Sequence, residues 1–177
     1  SAHMSPSSGD SHPQGWVYAA FYVGMARYAR LAQESGNDEH LERLKRIAKR
    51  SGYLFAPRIY NADDYAIGQL YLDLYEKYQD PAMITPLQVI FDQILNSPPT
   101  VDLRFERVTQ KSQFTGELMA DYFDGRDFSY VPCKNRWCWA DALFMGPPVW
   151  FHLANVTGDK RYRDFANQEF WETVDLL

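Results

Sequence analysis

What this 177-residue chain lacks narrows its function first. No apolar run reaches the length needed to cross a membrane and no leader segment is read at its start, so no membrane partner is expected. Cations are outnumbered, 18 Lys and Arg against 23 Asp and Glu, leaving a net charge of -5 and a pI near 5.3. A nucleic-acid partner needs a basic face, and none is expected here. The local excess of cations, Arg104, Arg107, Lys111, Arg126, Lys134 and Arg136, has Glu106 and Glu117 among it. It reads as solvated surface, with a cationic rim near an acidic ligand as the minority reading.

Thiols and imidazoles are also scarce. Cys133 and Cys138 form no C-x-x-C and lie too close together for a metal framework. They are expected reduced and packed, with a small disulfide loop as the alternative. His12, His40 and His152 are isolated, and His3 falls in an opening Ser-Ala-His-Met that reads as a cloning scar. No metal or other cofactor is therefore expected. Residues 1–13 are set aside as scar and polar, disordered tail, which leaves one domain over 14–177.

Aromatic residues, by contrast, make up 16% of the chain, enough to expect binding surface as well as core. They crowd one stretch, Asn135 to Trp150, in which Asp141 stands among Trp137, Trp139, Leu143, Phe144 and Met145 with no basic residue between Arg136 and Trp150. Apolar surroundings hold a carboxyl group's proton to higher pH and suit it to general acid work near neutrality. Flanking aromatic faces suit the apolar faces of a sugar. The bland alternative places Asp141 in the first turn of a helix beginning near Ala140, where an anion complements unpaired N–H groups and its pKa falls. Both readings are open from the residues alone.

The rest of the chain is helical by pattern. Trp16 to Gln33 carries Val17, Ala20, Phe21, Gly24, Tyr28 and Leu31 at three- and four-residue steps, and Ala19, Ala20, Gly24, Ala26, Ala29 and Ala32 make one of its sides small enough for a close neighbour. Gly36 stops it, and Asn37-Asp38 caps a second helix that ends near Ser51-Gly52. A third helix opens at the N-cap Asn61 and runs with a stripe of Ile67, Leu70, Tyr71, Leu74, Tyr75 and Tyr78. Asp80 caps a fourth with Pro81 at its first position, while Pro86 either kinks it or shifts its start. Residues 100–135 form a long connection with one short helix over 116–123, a length usually associated with function. The pattern resumes at Trp139, is disturbed at Gly146-Pro147-Pro148, and a last helix follows Gly158-Asp159.

Stop-and-cap points at Gly36 to Asp38, Gln79-Asp80 and Gly158-Asp159 recur at one and two units of a period of about 42 residues, so the chain reads as an array of helical hairpins. Such an array forms an open solenoid, the fold of a non-catalytic binding module, or a closed toroid that encloses a pocket.

Trp137 to Pro148, together with Asn61-Ala62-Asp63-Asp64, Gly68-Gln69 and Leu72-Asp73-Leu74-Tyr75, resembles the unsaturated rhamnogalacturonyl hydrolases, glycoside hydrolase family 105, and more distantly the unsaturated glucuronyl hydrolases of family 88. The resemblance extends from Trp16 to the C-terminus. It implies an all-α (α/α)6 toroid of about twice this length, of which this chain supplies roughly the first half. The isolated chain is then expected to be inactive or to pair, with the missing half or as a homo-oligomer, through exposed inner helices. By the same resemblance Asp141 is the acid and base, Trp139 lines the sugar subsite with Trp137 and Met145, and the Asp63-Asp64 pair holds a second active-site aspartate, Asp64 favoured. The implied substrate is an oligosaccharide left by pectin or rhamnogalacturonan lyases, ending in an unsaturated galacturonate. The implied reaction hydrates its C4=C5 bond, in a periplasmic or secreted setting, with the cytoplasm as the alternative.

Overall fold

The structure is a computed structural model that describes residues 12–103 and 132–177. The expected helix over 116–123, and every cation of the expected rim from Arg104 to Arg126, lie outside these residues. Among the described residues there is no strand. The described residues form eight α-helices in order: α1 (Trp16–Glu34), α2 (Glu39–Arg50), α3 (Ala62–Tyr65), α4 (Gly68–Tyr78), α5 (Thr85–Asn96), α6 (Ala142–Met145), α7 (Pro147–Thr157) and α8 (Lys160–Val174).

Each expected stop-and-cap point is built as its residues suggest. Gly36, Gln79 and Gly158 adopt left-handed backbone, with φ of 82°, 54° and 75°, which ends the preceding helix. A short side chain then takes up an unpaired N–H of the next element. Asn37 accepts from the Glu39 amide at 3.0 Å, Asp80 from Ala82 at 3.0 Å and Asp159 from Arg161 at 2.9 Å. Three hairpins result: α1 with α2, α4 with α5, and α7 with α8. Their first members pack side by side, α1 on α4 and α4 on α7, while α2 and α8 pack against them as a second layer and α5 joins α8. Two layers of antiparallel pairs, an arc of a toroid, are what the sequence led us to expect.

Three features differ from expectation, two of them helix boundaries. Asn61 does cap a helix, accepting from the Asp63 amide at 3.0 Å, yet the run breaks into α3 and α4 at Ala66-Ile67, where bonds span only three residues. The apolar periodicity hides the break because Ala66, Ile67 and Leu70 stay buried across it. Pro81 to Met83 form a 3-10 turn, and α5 starts only at Thr85. Pro86 enforces this: without an N–H it is tolerated in a first turn and not deeper. The third concerns which face of α1 is inside. Ala19, Ala26 and Ala29 are fully buried, whereas Val17, Phe21, Tyr28 and Leu31 are exposed. Small side chains let α2 and α4 approach closely, so the bulky stripe is turned outward.

The core centres on Trp150, which stacks on Phe91 with ring centroids 3.7 Å apart and lies 4.4 Å from Phe165. Tyr65 meets Phe91 edge-on at 5.2 Å, drawing α3 into the same cluster. At the crossing of α4 and α7, a Cβ on Gly68 would fall 2.7 Å from Cγ1 of Val149, a separation that only glycine permits.

Candidate active site

The two acid-bearing segments are placed alike. Each is a single helical turn set just ahead of a first-layer helix, α3 ahead of α4 and α6 ahead of α7, and the two turns pack against each other. Hairpin topology puts both at the same end of the arc.

Several bonds fix α6 there. Trp137 Nε1 donates to the Tyr65 hydroxyl, tying the segment before α6 to α3. Gln69 Nε2 donates to the Phe144 carbonyl at 3.0 Å, holding α6 from α4. Gly146 lets the Trp137 ring lie against the backbone, since a Cβ there would come within 2.9 Å of Cε2. Ahead of these, Cys133 and Cys138 are joined in a disulfide with Cα atoms 5.5 Å apart, which corrects the expectation of reduced thiols. The residues are five apart, Cys133 on a 3-10 turn and Cys138 just past the turn that follows it, a path that folds back on itself far enough to bring the sulfurs together.

Arg136 also departs from its expected place on a solvated surface. Its Nε and Nη2 donate to the two oxygens of buried Glu169 at 2.9 and 2.6 Å, and Nη1 reaches the Val101 carbonyl at 3.2 Å. Glu172 accepts from it as well. A planar guanidinium suits this forked recognition. The loop before Asp141 is thereby tied to α8.

On this anchored turn, Asp141 itself is exposed. The expectation that Trp137 and Met145 wall it in is corrected: both are buried in the core, Trp137 spending its only donor on Tyr65. The helix-start alternative is half met. Asp141 occupies the N-cap position of α6, but its side chain makes no capping bond. Its backbone carbonyl accepts from Phe144 at 2.9 Å and Met145 at 3.1 Å while the carboxylate makes no hydrogen bond or ion pair among the described residues. Trp139 is half-buried two residues ahead, and Phe144 is 50% exposed three residues on.

Asp64 has the opposite character. Its side chain is 1% exposed and accepts from the Arg58 amide at 2.7 Å, from Nε at 3.1 Å and from Nη2 at 2.5 Å. A carboxylate so enclosed orients an arginine, whose side chain remains 31% exposed. Asp63 is half-buried beside it. Tyr65, next in line, has its phenol pushed well above the ordinary range by burial.

A second cluster went unread in the sequence because its members are distant along the chain. Arg30 of α1 donates to Asp73 Oδ1 of α4 at 2.9 Å and pairs with Glu76, which meets His152 of α7 at 2.8 Å. Burial raises the Asp73 carboxyl, against Arg30 and Arg27. Burial also pushes Glu76 upward, but bonds from Arg30 and His152 outweigh it and hold the group below the usual value. Asp73, Glu76 and His152 bring one ligand atom each within 4.8 Å of one another, yet the two arginines already balance the two acids. The cluster is an ion-pair clasp across the three first-layer helices.

Comparison with known proteins gives this geometry its context. The profile of Glycosyl Hydrolase Family 88 matches residues 2–177. An unsaturated 3S-rhamnoglycuronyl hydrolase of Alteromonas sp. (strain LOR) is 36% identical over 164 residues, covering 92% of this chain and 36% of that protein. A protein of the same name from Formosa agariphila is 26% identical, covering 93% of this chain and 38% of that protein. The chain thus spans well under half the length of these curated relatives. The solved structure of a polysaccharide lyase superposes with a TM-score of 0.59 at 20% identity over 92% of this chain and 39% of that one, a likeness of fold alone. The all-helical array carries paired acid-bearing turns, and the chain belongs to glycosyl hydrolase family 88.

Proposed function

We propose that this chain carries the acid and base of a hydrolase of unsaturated uronyl oligosaccharides, and that Asp141 is that group. One observation carries the reading. The turn bearing Asp141 is anchored to α3, α4 and α8, yet the carboxylate is left exposed and without a partner among the described residues. Fixing a side chain's surroundings while leaving the group itself unengaged is how a site is preorganised for proton transfer.

The proposed chemistry is hydration. The Asp141 carboxyl gives its proton to C4 of the terminal sugar, and the C4=C5 electrons form the new C–H bond. Water adds its oxygen to C5 and returns a proton to the carboxylate, which restores the acid. The resulting hemiketal opens to a C5 ketone, and the hemiacetal left at C1 then releases the next sugar. One carboxyl group serves both steps, so the separation rule for paired carboxylates does not govern this site. Trp139 lines the sugar subsite, with Asp63 at its edge. Asp64 acts by holding Arg58.

The relatives' names support rhamnose next to the unsaturated uronate. The disulfide supports a periplasmic or secreted setting, where such bonds persist. The bulky stripe of α1 supports pairing with the remainder of a longer protein, or with a second copy. The test uses the full-length protein and lyase-generated rhamnose-containing oligosaccharides. Their ultraviolet absorbance, which comes from the conjugated double bond, is expected to disappear on mixing, and persistence of that absorbance contradicts the reading.

A further inference from the structure

The sequence offered several apolar walls for Asp141, and the structure withdraws two of them: Trp137 and Met145 are buried. Phe144 takes the opposite place. It is 50% exposed, and it lies three residues beyond Asp141, a spacing that puts two side chains on one face of a helical turn, about 5–6 Å apart at Cβ. Its position is not left to a loose backbone. The Phe144 amide donates to the Asp141 carbonyl at 2.9 Å, and the Phe144 carbonyl accepts from Gln69 at 3.0 Å. Other large apolar side chains are exposed, Phe21 at 61% and Val89 at 62% among them, but neither lies on the turn that carries the acid.

Resting on the function proposed above, we infer that Phe144 is the platform against which the unsaturated uronate ring lies while Asp141 protonates it. The C4=C5 bond flattens that ring, and a flat apolar face stacks on a phenyl ring without sacrificing its hydroxyls. Protonation at C4 leaves C5 short of electrons, a positive charge shared with the ring oxygen. An aromatic face within reach attracts that charge more strongly than it attracts the neutral ground state, so its effect falls on the rate as well as on binding. A phenyl ring also offers water no partner, which confines the adding water to the other face.

The experiment uses the full-length protein and the absorbance assay. Phe144→Leu keeps apolar bulk without the π face, and Phe144→Tyr keeps the face. We expect Phe144→Leu to lose about tenfold in kcat/KM with part of the loss in kcat, and Phe144→Tyr to stay within about threefold of wild type, at unchanged Tm for both. Wild-type constants in Phe144→Leu, or a lowered Tm with unchanged constants, assign the ring to packing and overturn the inference. Asp141→Asn in the same assay separates the two proposals. If it retains activity, the function proposed for Asp141 fails; if it is inactive while Phe144→Leu is normal, only the platform falls.

Discussion

Helices α3 and α6 are the same device used twice, and their differences are instructive. Both are one-turn helices delivering an aspartate just ahead of a long first-layer helix, and each is packed on the other. In α3 the acid is inside, bonded to the backbone amide and guanidinium of Arg58. In α6 the acid is outside and unbonded, while the neighbouring Trp137, Gly146 and Phe144 carbonyl absorb the anchoring contacts. The contrast shows that a carboxylate's sequence surroundings do not set its physical ones. Asp141 has the more apolar neighbours in the chain and the more polar surroundings in space.

Exchanging each acid for its amide should break the symmetry in opposite ways. Asp141→Asn is expected to lower activity of the full-length protein at least about 1,000-fold, since one group serves as both acid and base, with Tm unchanged because the side chain holds nothing. Asp64→Asn should instead lower stability by about 3 kcal/mol, the low end for breaking a buried pair because Arg58 is partly exposed. Denaturant unfolding read beside the absorbance assay distinguishes them, and equal effects of the two variants on both readouts would erase the comparison.

The disulfide sharpens it further, because it lies on the α6 side only. Closing a loop between residues five apart contributes about 2 kcal/mol, so reduction should lower the unfolding midpoint by a corresponding amount. An unchanged midpoint in dithiothreitol would remove the bridge from the anchoring of the Asp141 turn.

The smallest effect concerns the clasp below the two turns. Glu76 is held below its usual value of 4.5, so it contributes stability above that pH, lost as pH falls through its lower folded value. Asp73, raised by burial, contributes with the opposite sign, favouring the folded state at low pH and losing that contribution as pH rises through its folded value. In Glu76→Gln, facing Arg30 and His152 as before, the decline in Tm on acidification below about 4.5 should flatten. An unaltered acid slope would mean that Glu76 is not the group responsible.

Helix order, hairpin turns and caps were legible in the chain because each is written in adjacent residues: Gly36 then Asn37, Gln79 then Asp80, Gly158 then Asp159. The motif around Asp141 was legible too, as was its kinship. Less could be read wherever the decisive partner is remote in sequence. Arg136 finds Glu169 33 positions away and so looked like no more than surface charge, and His152, which looked isolated, meets Glu76 76 positions away. The inward face of α1 was ambiguous for another reason. Its bulky stripe and its alanine face are both apolar, and only the tightness of the approach by α2 and α4 selects the smaller. Trp137, Trp139 and Phe144 look interchangeable along the chain, and three-dimensional packing alone sorts core from surface.

The most direct test of the account is to follow oxygen. When the full-length protein turns over a lyase product in water enriched in heavy oxygen and the released uronate is reduced with borohydride before its carbonyls exchange with solvent, hydration at C5 predicts the label at C5 and none at the anomeric carbon. Label at the anomeric carbon, with the C4=C5 bond intact, would show ordinary displacement and contradict the role given to Asp141.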